Sequence, residues 1–272
     1  MEQLGFSRHG KGPPLVLIHA LGSSRAAWDP VVARLGERFD VLAVDLPWFG
    51  ESAPLPPATE PHPARLAEAV ADLLDDLHID RPHVTGNSIG GWVALELARL
   101  RPVASLTLLS PAGLWRRGTP LYCLVSLRIT RWACRHAPGL LSRLVTHRLG
   151  RILVLGQTHG RPTRVAPERA RAEIEVLATS TGFDAALAAT AHRHYTAGPI
   201  LGAPVTVAFG SRDLVLPMRR WRRLDQLPAG TRSAALPGCG HIPMADSPTA
   251  VVAVIDASVS SASADGAASV SP

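Results

Sequence analysis

Three positions carry residue types able to do nucleophilic chemistry together: Ser88 in GNSIGG, Asp213 in FGSRDLVLP and His241 in PGCGHIPMAD. A serine hydroxyl is a poor nucleophile at neutral pH. It needs a base to take its proton, a carboxylate to orient that base, and donors for the oxyanion that forms on attack. Gly86, Ser88 and Gly90 have the spacing G-x-S-x-G, which permits a sharp strand-to-helix turn with the hydroxyl projecting clear of a sheet. The triplet alone is weak. With 23 glycines in 272 residues it arises by chance in about one such chain in seven. A serine that merely caps a helix gives the same pattern.

The flanks supply the context. PHVTG before Ser88 reads as a strand and WVALELARL after it as a helix, whose first N–H groups favour negative charge. Asp213 follows the strand-like PVTVAFG, and His241 follows TRSAALPG. All three loops therefore open at the carboxyl edge of a sheet, where open α/β sheets bind ligands. The preceding strand ends in Ser110-Pro111 and offers no acid there. Asp45, at the end of an early strand, reads as structural; Asp246 and Asp256 read as cap and surface residues of the last helix. The oxyanion donors fall to the N–H of Ile89, which follows Ser88, and the N–H of Leu21 in IHALGSS. His19 reads as packing beneath that loop.

The elements that must position these residues alternate. Buried strands are predicted over 13–22, 39–47, 103–111, 204–213 and 231–238, besides the run before Ser88. Helices are predicted over 26–36, 62–77 and 248–259, after Ser88, and between the last two strands. In the 62–77 segment Leu66, Val70, Leu73, Leu74 and Leu77 share one helical face. Strands that are apolar throughout and alternate with helices imply an α/β fold, a doubly wound and mainly parallel sheet. The alternation breaks over about 115–198, which is helical in pattern and reads as an inserted helical cap. The core is then 1–114 with 199–258. Residues 259–272, rich in serine and alanine, read as a disordered tail.

Composition narrows the class. Hydrophobic residues make up 46% and charged residues 18%, as in a globular protein. No apolar run is long enough to span a bilayer, and MEQLGFSRHGKGPP has no signal-peptide core. Cys123, Cys134 and Cys239 have neither metal spacing nor the even count of a disulfide framework, so a reduced, cytoplasmic setting is expected. The net charge of +6 comes without a nucleic-acid motif, and no nucleic-acid partner is expected. The charge is uneven: 115–198 holds 13 arginines against four acidic residues. A solvated basic face accounts for that; so does a lid meeting an acidic carrier protein or lipid. Within this stretch Trp115, Leu121, Tyr122, Leu124, Trp132 and Tyr195 are candidates to line a substrate pocket, though each could equally pack cap against core.

IHALGSS, DLPWFGES, GNSIGGWVALELA, FGSRDLVLP and GCGHIPMADSP, in this order, resemble the capped α/β-hydrolases. The resemblance covers about 13–114 and 199–258. It implies Ser88 as nucleophile, His241 as base and then acid, Asp213 as its orienting carboxylate, and a small-molecule acyl substrate, with no metal or organic cofactor. A carboxylic ester hydrolase is the broadest activity it implies. Carbon–carbon bond hydrolases share Gly-Asn-Ser-x-Gly-Gly but have an aromatic residue after the histidine, where this chain has Ile242. Thioesterases, low-turnover ligand receptors and cyclases share the fold. Epoxide hydrolases and dehalogenases use aspartate where Ser88 stands. Two positions depart from the family pattern: Ala20 follows His19 where glycine is usual, and Trp48 stands where the family has glycine in Asp-x-Pro-Gly-x-Gly.

Overall fold

A computed structural model describes residues 4–198, 200, 203–217 and 222–268. Seven strands form one sheet in the order β1-β3-β2-β4-β5-β6-β7. They are β1 (Phe6–His9), β2 (Pro14–Ile18), β3 (Asp40–Val44), β4 (His83–Asn87), β5 (Ser105–Leu109), β6 (Val205–Gly210) and β7 (Arg232–Leu236). Every neighbouring pair is parallel except β1 with β3. The chain is an α/β-hydrolase fold.

The strands are apolar on both faces because both faces are covered. Val16, Ile18, Leu42, Val44, Val84, Leu106 and Val207 pack in one cluster with α2 (Pro63–Asp76) and α3 (Ile89–Leu100). Their neighbours Leu15, Leu17, Val41, Ala43, Leu109, Ala208 and Leu236 pack in the other, with α1 (Asp29–Leu35). The helix after the last strand completes that second layer. The period-two alternation of the pleat thus splits β2, β3, β5 and β6 between two cores.

Five helices lie between β5 and β6: α4 (Leu121–His136), α5 (Pro138–Leu144), α6 (Arg148–Leu155), α7 (Pro167–Thr179) and α8 (Phe183–Ala191). Cys134, Val145, Leu155, Val165, Ala170 and Ile174 form a core of their own within this insertion. After β7 come α9 (Pro243–Asp246) and α10 (Pro248–Ala268).

Three expectations differ from the structure. The edge strand β1 is absent from the sequence reading: its FSRH is short and mostly exposed, with no apolar alternation to reveal it. Between β6 and β7 the described residues hold a single 3-10 turn, Leu224–Gln226, and not a helix; positions 218–221 lie outside the described residues. The last helix does not end at 259 but continues to Ala268, with Ser258 and Ser261 buried and the Ser258 hydroxyl donating to the Leu106 carbonyl. Serine and alanine are tolerated in a helix, and the burial of Ser261 shows packing that continues past 259. The remainder of the expected tail, 269–272, lies outside the described residues. Among the described residues no helix is long and apolar enough to cross a membrane.

Candidate active site

Ser88 occupies the residue between β4 and α3 with φ 56° and ψ −118°. A non-glycine residue rarely holds this conformation, and it costs on the order of 1–3 kcal/mol. The turn is pinned from both sides. The Ser88 N–H donates to the Leu109 carbonyl, and the Ser88 carbonyl accepts from the N–H groups of Gly91 and Ala112. The glycines have a steric reason. A Cβ on Gly86 would lie 2.1 Å from the Gly90 carbonyl oxygen, and one on Gly90 would lie 2.3 Å from that of Ile18. Strand, helix and neighbouring strand approach too closely for any side chain at either position.

Asp213 and His241 meet in the loops after β6 and β7. Nδ1 of His241 donates to Oδ2 of Asp213 at 2.9 Å, and both residues are buried. The other oxygen, Oδ1, accepts from the N–H groups of Val215 at 2.9 Å and Leu216 at 2.8 Å. Burial pushes the Asp213 carboxyl upward, but His241 as charge and donor, with the Leu216 N–H, outweighs it and holds the acid down at about 2. An ionised carboxylate only accepts, so the His241 proton sits on Nδ1 and Nε2 is left able to accept. Asn87, immediately before Ser88, donates from Nδ2 to the carbonyls of Leu109 at 3.0 Å and His241 at 2.9 Å.

Ser88, His241, Leu21 and Ile89 border one small cavity of about 70 Å3, with Ala20, Trp115 and Ile242 also on its wall. The Ser88 hydroxyl makes no side-chain hydrogen bond among the described residues, and Ser88 and His241 both line the cavity. The Ile89 N–H belongs to the first turn of α3, whose N–H groups have no partner within the helix. His19 is fully buried. Its Nδ1 donates to the Ala20 carbonyl at 2.7 Å while Nε2 accepts the Leu46 N–H at 3.0 Å, and burial lowers its pKa. It braces the loop that carries Leu21. A larger chamber of about 410 Å3 adjoins, and Leu21, Leu127, Thr158 and Ile242 border both spaces.

A family model described as "Alpha/beta hydrolase family" matches residues 15–254. The chain belongs to the alpha/beta hydrolase family. Epoxide hydrolase EphH of Mycobacterium tuberculosis is 32% identical over 213 residues, 71% of this chain and 92% of that one. A pimeloyl-[acyl-carrier protein] methyl ester esterase of Aeromonas hydrophila is 39% identical over 110 residues, 40% of this chain and 41% of that one. Among solved structures, a thermophilic esterase from Thermogutta terrifontis superposes with a TM-score of 0.75 at 24% identity, covering 95% of this chain and 93% of that one.

The two departures from the alpha/beta hydrolase pattern have visible consequences. Ala20 places its methyl on the wall of the small cavity. Trp48 takes φ 69°, so the left-handed turn is kept and the tryptophan carries its strain. Asp45 is structural: its carboxylate is buried and accepts from the Arg25 and Glu51 N–H groups and the Arg25 guanidinium. Among the described residues no three His, Cys, Asp or Glu side chains cluster as a metal site.

The pocket candidates fare unevenly. Trp115 borders the cavity, with Nε1 donating to the Arg193 carbonyl. Tyr195 is buried in the sheet core instead. Tyr122 and Trp132 point outward, 49% and 62% exposed, as does Leu121. Leu124 packs against Phe183 and Leu187 within the insertion. Helix α4 has apolar residues on two opposite sides, so its pattern did not say which side turns inward. Asp246 is not a surface residue: it is buried, and its carboxylate accepts from the N–H groups of Gly160, Arg161 and Gly240. Neither Asn87 nor Asp246 was singled out for the site from sequence. A donor side chain directly before the candidate serine was the available signal for Asn87.

Proposed function

We propose that this protein is a serine hydrolase that cleaves carboxylic esters through Ser88, His241 and Asp213. The observation that carries the reading is the buried His241–Asp213 hydrogen bond of 2.9 Å, facing with Ser88 a single cavity at the carboxyl edge of the sheet. Ser88 Oγ attacks the ester carbonyl carbon as His241 Nε2 takes its proton. The N–H groups of Leu21 and Ile89 receive the oxyanion. Collapse breaks the bond to the leaving alcohol, which takes the proton from His241. Water then attacks the acyl-serine, giving its proton to His241, and the acid leaves as Ser88 recovers its hydrogen. Asp213 stays ionised throughout and stabilises the imidazolium.

A hydroxyl at the strained turn, where a carboxylate would be needed to open an epoxide by the aspartate route, favours esters over the reaction in EphH's name. The insertion over 115–198 serves as the cap. Supporting this, the 410 Å3 chamber has Leu127, Val154 and Leu177 of the insertion on one side and Gly22, Ala26 and Ile242 of the core on the other. Its lining is mainly apolar, though it also includes Asp29, Glu168, Arg169 and Glu173, and it suits an ester with an apolar acyl or alcohol portion.

The test is labelling by a fluorophosphonate probe, read by intact mass, with wild type against Ser88→Ala, followed by turnover of p-nitrophenyl esters of increasing chain length. One adduct that vanishes in Ser88→Ala, with kcat lowered on the order of 10⁶-fold, is expected. Labelling that persists without Ser88 would overturn the assignment. Folded wild-type protein that takes no label would favour a ligand-binding or cyclase role.

A further inference from the structure

Nine of the twelve large hydrophobic residues that stand exposed among the described residues lie between Leu121 and Leu153. On α4 they form a stripe. Leu121, Val125, Ile129 and Trp132 recur at helical spacing, with exposures of 75%, 44%, 61% and 62%. The opposite face, through Cys123, Leu124, Arg131 and Cys134, is the one that packs inward. The outward stripe therefore has no structural partner among the described residues, although it is as apolar as the inward side. On α6, Leu149 and Leu153 are exposed further still, at 80% and 76%.

The charged side chains of α4, α5 and α6 are all arginines. Exposed Arg128 and Arg135 are interleaved with the α4 stripe, and Arg143 and Arg148 stand exposed on α5 and α6. None of these four enters an ion pair among the described residues. The sequence contains no aspartate or glutamate between Glu96 and Glu168. The groove beside the stripe has a single acid, Asp184 of α8, against Arg128, Arg131 and Arg135.

We propose that the α4 face docks on an anionic lipid surface. An apolar stripe with a tryptophan, flanked by arginines that outnumber the one acid beside it, Asp184, is what a helix lying in the plane of a bilayer interface presents. The aliphatic side chains enter the acyl boundary, while the arginines lay their stems along it and reach the headgroup phosphates. The contact is peripheral, in keeping with the lack of a spanning helix among the described residues. The occupant is a lipid surface and not an acidic protein because apolar residues, not arginines, form the continuous line along the helix. The proposal stands apart from the catalytic reading and is tested without measuring activity.

The experiment is co-sedimentation of the full chain with vesicles of phosphatidylcholine alone or mixed with phosphatidylglycerol, at low and high salt. Binding to the mixed vesicles, weakened by salt, is expected. Each arginine near an anionic leaflet contributes about fivefold, so Arg128→Glu with Arg135→Glu lowers binding by more than roughly tenfold. Val125→Asp with Ile129→Asp, whose fold is checked by circular dichroism, lowers it by a similar factor, about tenfold. Trp132 serves as an internal probe: a shift of emission to shorter wavelength on mixed vesicles, lost in Trp132→Phe, locates the contact. Sedimentation that none of these variants changes would overturn the proposal. So would absence of vesicle binding, whether purified acyl carrier protein binds instead or the chain self-associates in a manner that Ile129→Asp abolishes.

Discussion

The side-chain amide of Asn87 donates to the backbone carbonyl of His241 at 2.9 Å, across 154 positions of sequence. The residue that precedes the candidate nucleophile therefore holds the loop of the candidate base. Its second donor bond, to the Leu109 carbonyl at 3.0 Å, ties both to β5. Asn87→Asp puts a pure acceptor against two carbonyls, leaving them unpaired in a buried site. A loss of about 1–3 kcal/mol in stability is expected, read by denaturant unfolding. On the proposed mechanism kcat falls with little change in KM, because Asn87 positions His241 without touching the substrate. An unchanged kcat would remove Asn87 from that role.

The strain at Ser88 gives a prediction of opposite sign for stability and activity. At φ 56° and ψ −118° a glycine is more comfortable than a serine. Ser88→Gly is expected to raise Tm, by the equivalent of about 1 kcal/mol, while abolishing ester turnover. Ser88→Ala removes the hydroxyl but keeps the Cβ, and is expected to leave Tm nearly unchanged. Equal melting of the two variants would mean that the turn stores no strain.

These contrasts show what the sequence could and could not carry. Ser88, Asp213 and His241 were legible because each lies at a strand end announced by its own apolar run, and strand order then sets them on one edge. The bracing residues were not. Asp246 sits two residues before the predicted 248–259 helix, where a cap residue is the ordinary reading; its partners Gly160 and Arg161 lie in the insertion, and nothing local marks them. Tyr122 and Trp132 were open between lining a pocket and packing cap against core, and their exposure fits neither, because α4 is apolar on both sides and only tertiary packing chooses between them. The strand β1 escaped because an edge strand mostly in water needs no apolar alternation.

Asp213 sets a direction for acid stability. Its carboxyl is held at about 2 in the fold against 3.8 for the free side chain. A depressed acid stabilises the fold above its unfolded pKa, and the contribution disappears as pH falls through the window from about 4 to about 2. The amount is on the order of 2 kcal/mol. Asp213→Asn removes this slope, so the stability of the variant and of the wild type should converge as pH falls through that window, measured by urea unfolding. The same variant cannot hold the His241 tautomer, and kcat is expected to fall on the order of 10⁴-fold near neutral pH. Parallel stability curves would show that the carboxylate is not held as described.

Asp246 links the insertion to the loop of His241. Its carboxylate takes the Gly240 N–H at 2.7 Å, next to His241 in the chain, and the N–H groups of Gly160 and Arg161 at 2.8 and 2.7 Å. Three backbone donors, that of Gly240 buried and those of Gly160 and Arg161 half-buried, converge on one carboxylate, and such charge-assisted bonds are worth about 1.5–3 kcal/mol each where removal leaves the donors unpaired. Asp246→Ala is therefore expected to unfold the protein or lower its stability by several kcal/mol. Asp246→Asn is the informative variant: one amide oxygen still accepts, but the NH2 group opposes an N–H. Stability should fall by about 2 kcal/mol. Hydrogen exchange should then rise at Gly160, Arg161 and Gly240 together, since one side chain protects all three. Faster exchange at Gly160 and Arg161 alone would mean that the insertion and the His241 loop are held independently. In that case kcat for ester hydrolysis would not follow the loss of stability.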